Sequence, residues 1–547
     1  MTEPSPGTDP RVARLVGVRA TRAYGPEWRP WGRRFNDAAL ALEDGRPADA
    51  ETILREVLEA TVAAAADDGE ALDLRSRVLH QLSAVADDGG DLAGALRLAD
   101  ECLAACRAAE VVAGDAYGTA ATRAAMLVNR SQTLEALGRS DAALADLDDA
   151  TALVDDLRAT DAASLAVLVF TLHNSRGAVL TTLGRYEEAW AEIGRALAVA
   201  QESEPRLAGA AHTNLAVLAD RTGDQHGADA HLRLAADLHE ATGDRLGSAT
   251  VRHNLARRAL RRGDLDQAEQ AFAAAQDAYE RQGRPALVAG CQLGRAAVAL
   301  RRARPRAAQR LLTTAAATME ATGDTSDLIE CLLLLGDVTA VVEGFAAGDE
   351  VYLAARERCV RLGLGHQTAR VDIRRAMVVA ASTRITPRRK ERLRRRESAL
   401  GLVLPAALAT EAIRHRFAVG PVRERWARVV AAPAMVLSFD LVTKLGWTPL
   451  AFELVEHASA TVALTTAAVL PELDEDALAA QAGSELAELA TGEARFVLSD
   501  APAPDRLALP PRLRMLPEGD SVLDGFIAAA EERYGFPVRS AEVVPAW

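Results

Sequence analysis

The sequence predicts an all-α chain built from tandem helical hairpins. Three observations predict it. Glycine returns on a twenty-residue ladder, at Gly223, Gly243, Gly263, Gly283, Gly323 and Gly363. Small and large apolar residues recur at fixed distances from those glycines. Aromatics are only 4% of the chain and alanine is abundant, which suits closely packed helices, because Ala favours helix whereas Phe, Tyr and Val favour strand.

The repeat can be laid out from Gly45, Gly90, Gly138, Gly184, Gly223, Gly263 and then Ala303 as origins. Five residues on stand Ala50, Ala95, Ala143, Ala189, Ala228, Ala268 and Ala308. Twelve on stand Val57, Cys102, Ala150, Ala196, Ala235, Ala275 and Ala315. Nine on, a large apolar residue recurs at Leu54, Leu147, Ile193, Leu232, Phe272 and Leu312, broken by Ala99. Seven before, small residues recur at Ser131, Gly177, Ala216, Ala256 and Ala296.

Each offset has a mechanical reading. A helix runs into the glycine and ends there, because glycine accepts the left-handed conformation that closes a helix. An Asp or Arg follows in the turn, and a second helix starts. Its positions five, nine and twelve residues on share one face. The small ones let two helices approach and the large one fills the gap. The next glycine ends this second helix, so two rungs of the ladder make one repeat.

The pattern resembles the tetratricopeptide repeat, a helix–turn–helix unit of about 34 residues. The period here is 39–40 residues from Gly184 onward and 45–48 before it, as in the longer-helix, kinesin-light-chain-like arrays. The resemblance covers about residues 35–363, roughly eight units. The last, CLLLLGDVTAVVEGFAAGDEVYLAARERCVRLG, is degenerate, as units near an array's end are. The resemblance implies a right-handed α-solenoid whose first helices line a concave groove, with partners, usually peptides, in that groove.

Asn129, Asn214 and Asn254 stand nine residues before their glycines, and Asn174 ten before Gly184. In kinesin-light-chain-like arrays asparagines in this slot hold an extended peptide by its backbone, and an amide both donates and accepts. Arg221, Arg261 and Arg301 stand two before their glycines, with His253 and Arg257 nearby. Such a groove would prefer an acidic peptide or a chain-end carboxylate. The competing reading has the asparagines bonding the neighbouring repeat to fix the stacking angle, and the arginines solvated. The lysine-and-asparagine carboxylate clamp is absent, because the chain has only Lys390 and Lys444.

The totals narrow the function. With 547 residues, 49% of them apolar, the chain can bury a core. Its net charge of −14 argues against a general nucleic-acid binder. Cys102, Cys106, Cys291, Cys331 and Cys359 form no CxxC pair, which fits reduced thiols in a cytoplasmic protein. The start, MTEPSPGTDP, lacks a basic region and an apolar run, so no signal peptide and no membrane role are expected. Neither lysine sits in a Walker A loop, and there is no HExxH or GxSxG. His226, His231 and His239 lack a completing acid or cysteine. No catalysis, cofactor or metal is expected.

Residues 384–396 read RITPRRKERLRRR. Thr386 is the expected N-cap, with Pro387 in the first turn. Arg388, Arg389, Lys390, Arg392, Arg394, Arg395 and Arg396 make this a candidate anionic contact. From Arg370 to Leu400 there are 11 basic and three acidic residues, a local net of +8. The competing reading is a solvated helix lying against acidic faces, and no aromatic is present here for base stacking. Further on, residues 499–517, SDAPAPDRLALPPRLRMLP, hold five prolines and cannot be helical throughout. A last helix is expected near 521–534, either tethered or packed back on the domain.

The segments RERWARVVAAPAMVLSFDL and PPRLRML and the ending RYGFPVRSAEVVPAW resemble the C-terminal region of tetratricopeptide-repeat proteins from high-GC actinobacteria associated with CHAT, the caspase-like protease family. The catalytic module is absent, so this likeness implies a partner or substrate role only.

The expected divisions are an N-terminal segment or cap over 1–34, repeats over 35–365, a basic helical linker over 366–400, a helical C-terminal domain over 401–498, a proline-rich linker over 499–519, and a terminal helix and tail over 520–547. Whether Tyr24, Trp28 and Trp31 form a cap or a docking site stays open. The chain reads as a non-catalytic cytoplasmic scaffold that holds a protein or peptide partner, a CHAT-type protease among the candidates. The alternative is a regulatory protein contacting nucleic acid through 384–396.

Overall fold

The computed structural model describes residues 24–161, 165–323, 325–415, 421–460, 512–514, 521–539 and 543–545. Within them, helix–turn–helix pairs follow one another: α1 (Arg29–Glu43) with α2 (Pro47–Val62), α3 (Gly69–Asp88) with α4 (Leu92–Ala113), α5 (Thr119–Ala136) with α6 (Ser140–Asp161), and α7 (Ala166–Thr182) with α8 (Tyr186–Ser203). Next come α9 (Ala208–Arg221) with α10 (Gln225–Thr242), α11 (Arg245–Arg262) with α12 (Leu265–Arg281), and α13 (Pro285–Arg301) with α14 (Pro305–Thr322). Then come α15 (Thr325–Glu343) with α16 (Phe345–Arg361), and α17 (Gly365–Ser382) with α18 (Arg389–Arg414). The chain closes with α19 (Pro421–Trp426), a π-turn at Ala427–Ala431, α20 (Ala432–Leu445), α21 (Thr448–Ala460) and α22 (Val522–Tyr534). Two short strands, β1 (Arg512–Arg514) and β2 (Val543–Pro545), pair in parallel. The fold is the predicted all-α tandem-repeat solenoid with this small ladder added.

The glycine ladder does what its spacing predicts. Gly45, Gly90, Gly138, Gly184, Gly223, Gly243, Gly263, Gly283, Gly323 and Gly363 all have φ between 64° and 85°. At Gly263 the turn closes by two backbone bonds, Gly263 N–H to the Leu260 carbonyl (3.1 Å) and Asp264 N–H to the Ala259 carbonyl (2.9 Å), the Schellman pattern. The aspartate after the glycine then starts the next helix. Asp91, Asp224 and Asp264 each accept from the N–H three residues on, at 2.8, 2.8 and 3.2 Å, capping donors that the helix leaves unpaired.

Ala303 keeps the ladder's conformation without being glycine. Its φ of 53° is positive, where a Cβ crowds the backbone at a cost of about 1–2 kcal/mol. Replacing it by glycine relieves that strain but loosens the unfolded chain by about 0.4–1 kcal/mol. Ala303→Gly is therefore expected to stabilise by up to about 1 kcal/mol, and Gly263→Ala to destabilise, in urea melts.

The small and large positions also pack as their offsets predict. The seven residues five on from the origins and the seven twelve on are fully buried, as are Leu54, Leu147, Ile193, Phe272 and Leu312. A Cβ on Gly177 would overlap Ile193, and one on Gly294 would overlap the Phe272 ring. A first helix thus gives up its side chain where a second helix, of its own repeat at Ile193 and of the preceding repeat at Phe272, inserts a large one.

The chain divides into two compact units. The first comprises Met1–Leu255, Ala273–Val288 and Thr318–Ser326. Near its first described residues Tyr24 and Trp28 are buried, and Trp31 stays at the surface. Tyr24 Oη donates to Asp73 Oδ2 (2.5 Å), Trp28 Nε1 to Asp68 Oδ2 (2.7 Å) and Gly25 N–H to Glu70 Oε1 (2.9 Å). Asp73, itself fully buried, also accepts from Arg77 Nε (2.9 Å) and Thr119 Oγ1 (2.7 Å). Burial and this carboxylate push the Tyr24 phenol well up, so it remains a neutral donor. In the same unit Asp88 forms an ion pair with Arg284, and Gly90 lies against Thr322 and Pro285, leaving no room for a Cβ.

The second unit comprises Ala256–Phe272, Ala289–Ala317 and Asp327–Trp547. One of its cores joins α17, α18, α19, α20, α21 and α22 through Ile373, Leu404, Trp426, Leu441, Leu454, Ile527 and Tyr534. Position 400 falls inside α18, so the division expected there has no counterpart in the secondary structure. The basic stretch is the first half of a hairpin helix. Thr386 does not cap α18, whose N-cap is Arg388; its Oγ1 donates back to the Ser382 carbonyl at 2.8 Å and tightens the end of α17.

The last helix is tied into this core. Tyr534 Oη donates to Asp372 Oδ2 (3.1 Å). Glu453 accepts from Ser521 Oγ (2.7 Å), Val522 N–H (3.2 Å) and Leu523 N–H (2.8 Å), supplying from outside the cap that α22 lacks. Pro405 sits within α18 and has no N–H for the Gly401 carbonyl. Arg533 Nη1 donates to that carbonyl at 2.7 Å. The expected tether at 499–519 lies outside the described residues except for β1, as does Trp547.

Candidate interaction surfaces

The polar residues of the first helices form bonds one repeat apart. Asn214 Nδ2 donates to Asn174 Oδ1 at 3.0 Å. Asn129 Nδ2 meets His80 Nε2 at 3.0 Å. Burial, then repulsion by Arg77, push the His80 imidazole down to about 4, so it is neutral and can accept that amide proton. Three further bonds follow the same spacing: Thr133 Oγ1 to Asp87 Oδ1 (2.7 Å), Gln132 Nε2 to Ser175 Oγ (2.9 Å) and Thr182 Oγ1 to Glu135 Oε1 (2.7 Å). The result is a polar seam along successive first helices of the first unit.

Sequence reasoning singled out the asparagines, Asn174 and Asn214 among them, and missed His80, the partner of Asn129. His80 precedes its glycine by ten residues, as Asn174 does, which is the signal that would have included it. Each bonded asparagine keeps hydrogen-bonding capacity, since an amide offers two donors and two acceptor sites. Asn129, Asn174 and Asn214 are all half-buried.

The remaining expected groove residues are distributed differently. Arg221 ends α9 in the first unit, and His253 and Asn254 lie on α11, with the His253 ring 6.4 Å from that of Tyr279. Arg257 and Arg261 follow on α11 within the second unit, where Arg301 Nη1 donates to the Leu260 carbonyl at 3.1 Å. Arg301 thus ties one first helix to the preceding one.

The histidine trio separates as well. His231 stacks on His212 with centroids 5.2 Å apart, whereas His239 is buried beside Asp244 at 2.9 Å. No group of three or more His, Cys, Asp or Glu side chains suited to a metal occurs among the described residues. All five cysteines are buried and outside disulfides. No helix among the described residues is long and apolar enough to cross a membrane.

In the basic segment the side chains divide. Arg395 donates to Ser382 Oγ (3.1 Å) and to Glu391 Oε1 (2.7 Å), and Arg392 Nη1 to the Thr386 carbonyl (3.2 Å). Arg388, Arg389, Lys390 and Arg394 are exposed. Arg389, Arg392 and Arg396 also face a cleft of about 680 Å³ between the α17–α18 hairpin and α20.

These features define a helical-repeat protein. No family model matches the sequence, and no curated protein matches it. Among solved structures it is similar to BtubC from P. vanneervenii, at 21% identity over 40% of this chain and 90% of that one, with a TM-score of 0.34. It is similar to a Rap protein complexed with Competence and Sporulation Factor, at 12% identity over 61% of this chain and 99% of that one, TM-score 0.40. It is also similar to the human IFIT1 dimer with m7Gppp-AAAA, at 11% identity over 79% of this chain and 90% of that one, TM-score 0.36. The ligands named with those proteins are theirs.

Proposed function

We propose that the chain is a non-catalytic, cytoplasmic interaction scaffold whose first helices hold an extended segment of a partner protein. The observation that carries this reading is the half-buried amide seam. Asn129, Asn174 and Asn214 are oriented by bonds to neighbouring repeats and retain donors and acceptors that match a peptide backbone. Pre-orientation lowers the ordering cost of binding, so the stacking role and the binding role reinforce each other. Arg221, His253, Asn254, Arg257, Arg261 and Arg301 would favour an acidic segment. The C-terminal likeness makes a CHAT-type protease the first partner to test, as its regulator or substrate.

The test is selection from a displayed peptide library, followed by titration of the enriched peptides. The triple change of Asn129, Asn174 and Asn214 to Ala is expected to weaken binding at least about tenfold, since each lost bond contributes about 0.5–1.5 kcal/mol. His80→Ala, which only frees Asn129, is expected to change affinity less. Peptides that bind the triple variant as well as the wild type would leave the seam a stacking device.

A further inference from the structure

The cleft beside α18 collects positive charge in an acidic protein. Arg384, Arg389, Arg392, Arg396 and Lys444 line it, against the single carboxylate of Asp440, which Lys444 Nζ already holds at 2.7 Å. Arg384, Arg389, Arg392 and Arg396 make no ion pair among the described residues. Arg396 Nη1 reaches only the Lys444 carbonyl at 3.5 Å, and its Nε is buried with no hydrogen-bond partner among the described residues. Leu393, Leu437 and Leu441 supply an apolar wall.

Cations gathered in a partly dry cleft repel one another, and a buried donor without a partner costs free energy. Both deficits vanish when an anion with several acceptor oxygens enters. Guanidinium forks match phosphate oxygens in geometry as well as charge. The volume of about 680 Å³ lies within the range of about 300–1,000 Å³ typical of small-molecule sites. No aromatic lines the cleft among the described residues, so single-stranded bases have no stacking platform.

We propose that this cleft binds a small polyphosphate-bearing ligand of nucleoside-triphosphate size. The experiment is calorimetric titration of the full chain with sodium tripolyphosphate, ATP and GTP at two salt concentrations. Tripolyphosphate and the nucleotides are expected to compete for one site and to bind more weakly at the higher salt. Changing Arg392 and Arg396 together to Gln is expected to weaken binding about tenfold or more. A second variant, with rim residues Arg384 and Arg389 changed to Gln, serves if the first melts early. The charge-matched change of Arg107 and Arg233 to Gln, far along the sequence on exposed positions of α4 and α10, is expected to leave affinity unchanged. Absence of heat with all three probes overturns the proposal, as does equal loss in the charge-matched control. A mixed-sequence oligonucleotide that displaces ATP at lower concentration than any nucleotide also overturns it, in favour of a nucleic-acid contact.

Discussion

Removing residues 521–547 is expected to unfold the C-terminal core, with loss of the fixed environment of Trp426. Leu523, Ile527, Tyr534 and Val538 are each at most 4% exposed, and burying a side chain of this size contributes about 1.5–3 kcal/mol. Together they approach the whole stability of a typical domain, about 5–15 kcal/mol. The deletion also strips Asp372 of the Tyr534 hydroxyl and leaves the Gly401 carbonyl, already deprived of a donor by Pro405, without Arg533. Near-UV circular dichroism and tryptophan emission against urea would measure it. The point change Tyr534→Phe is expected to cost only about 1–3 kcal/mol, so the pair separates packing from the hydrogen bond. A truncated chain that melts like the wild type would make α22 an appendage on a tether.

Phe272→Ala is expected to destabilise by about 3–5 kcal/mol, the usual cost of emptying a fully buried phenylalanine site. Gly294→Ala drives a methyl into the Phe272 ring, and overpacking of this kind costs about 1–3 kcal/mol. The two changes act on one contact, so they are expected to be non-additive. In the Phe272→Ala background the added methyl enters the vacated space and Gly294→Ala becomes nearly neutral or stabilising. Equilibrium urea melts of the two single variants and the double variant give the coupling directly. Additive losses would mean that Gly294 and Phe272 do not share the gap.

The repeats were legible because their physics is local. Glycine is needed wherever the backbone turns left-handed, and Ala268, Phe272 and Ala275 share a face fixed by helix geometry alone. The hairpin of α17 and α18 was not legible as one. The first half of α18 is polar on nearly all sides, and the run Ala399–Ile413 is almost wholly apolar and, but for Gly401 and Leu402, buried. Polarity interrupts that second run only at Thr410 and Glu411, so neither half shows the one-sided pattern that marks a packed helix. The bond of Tyr534 to Asp372 joins residues 162 apart, and no periodicity spans them. The candidate seam was half legible. An asparagine at a repeat spacing signals a position, but its amide pairs equally well with a neighbour or a ligand, and His80 occupies the same file under a different chemistry.

The pairing of Asp88 with Arg284 and the seating of Gly90 on Thr322 and Pro285 change how the first unit must fold. Arrays whose repeats touch only their neighbours unfold piecemeal, and their stability is nearly a sum of nearest-neighbour steps. A contact between residues almost two hundred positions apart adds a term that no single step owns. It raises the mean sequence separation of native contacts, which slows folding, and it makes fraying of the second hairpin felt near the start of α13. The first unit is then a cooperative body, in which the loosening of one repeat is reported by the hydrogen exchange of another.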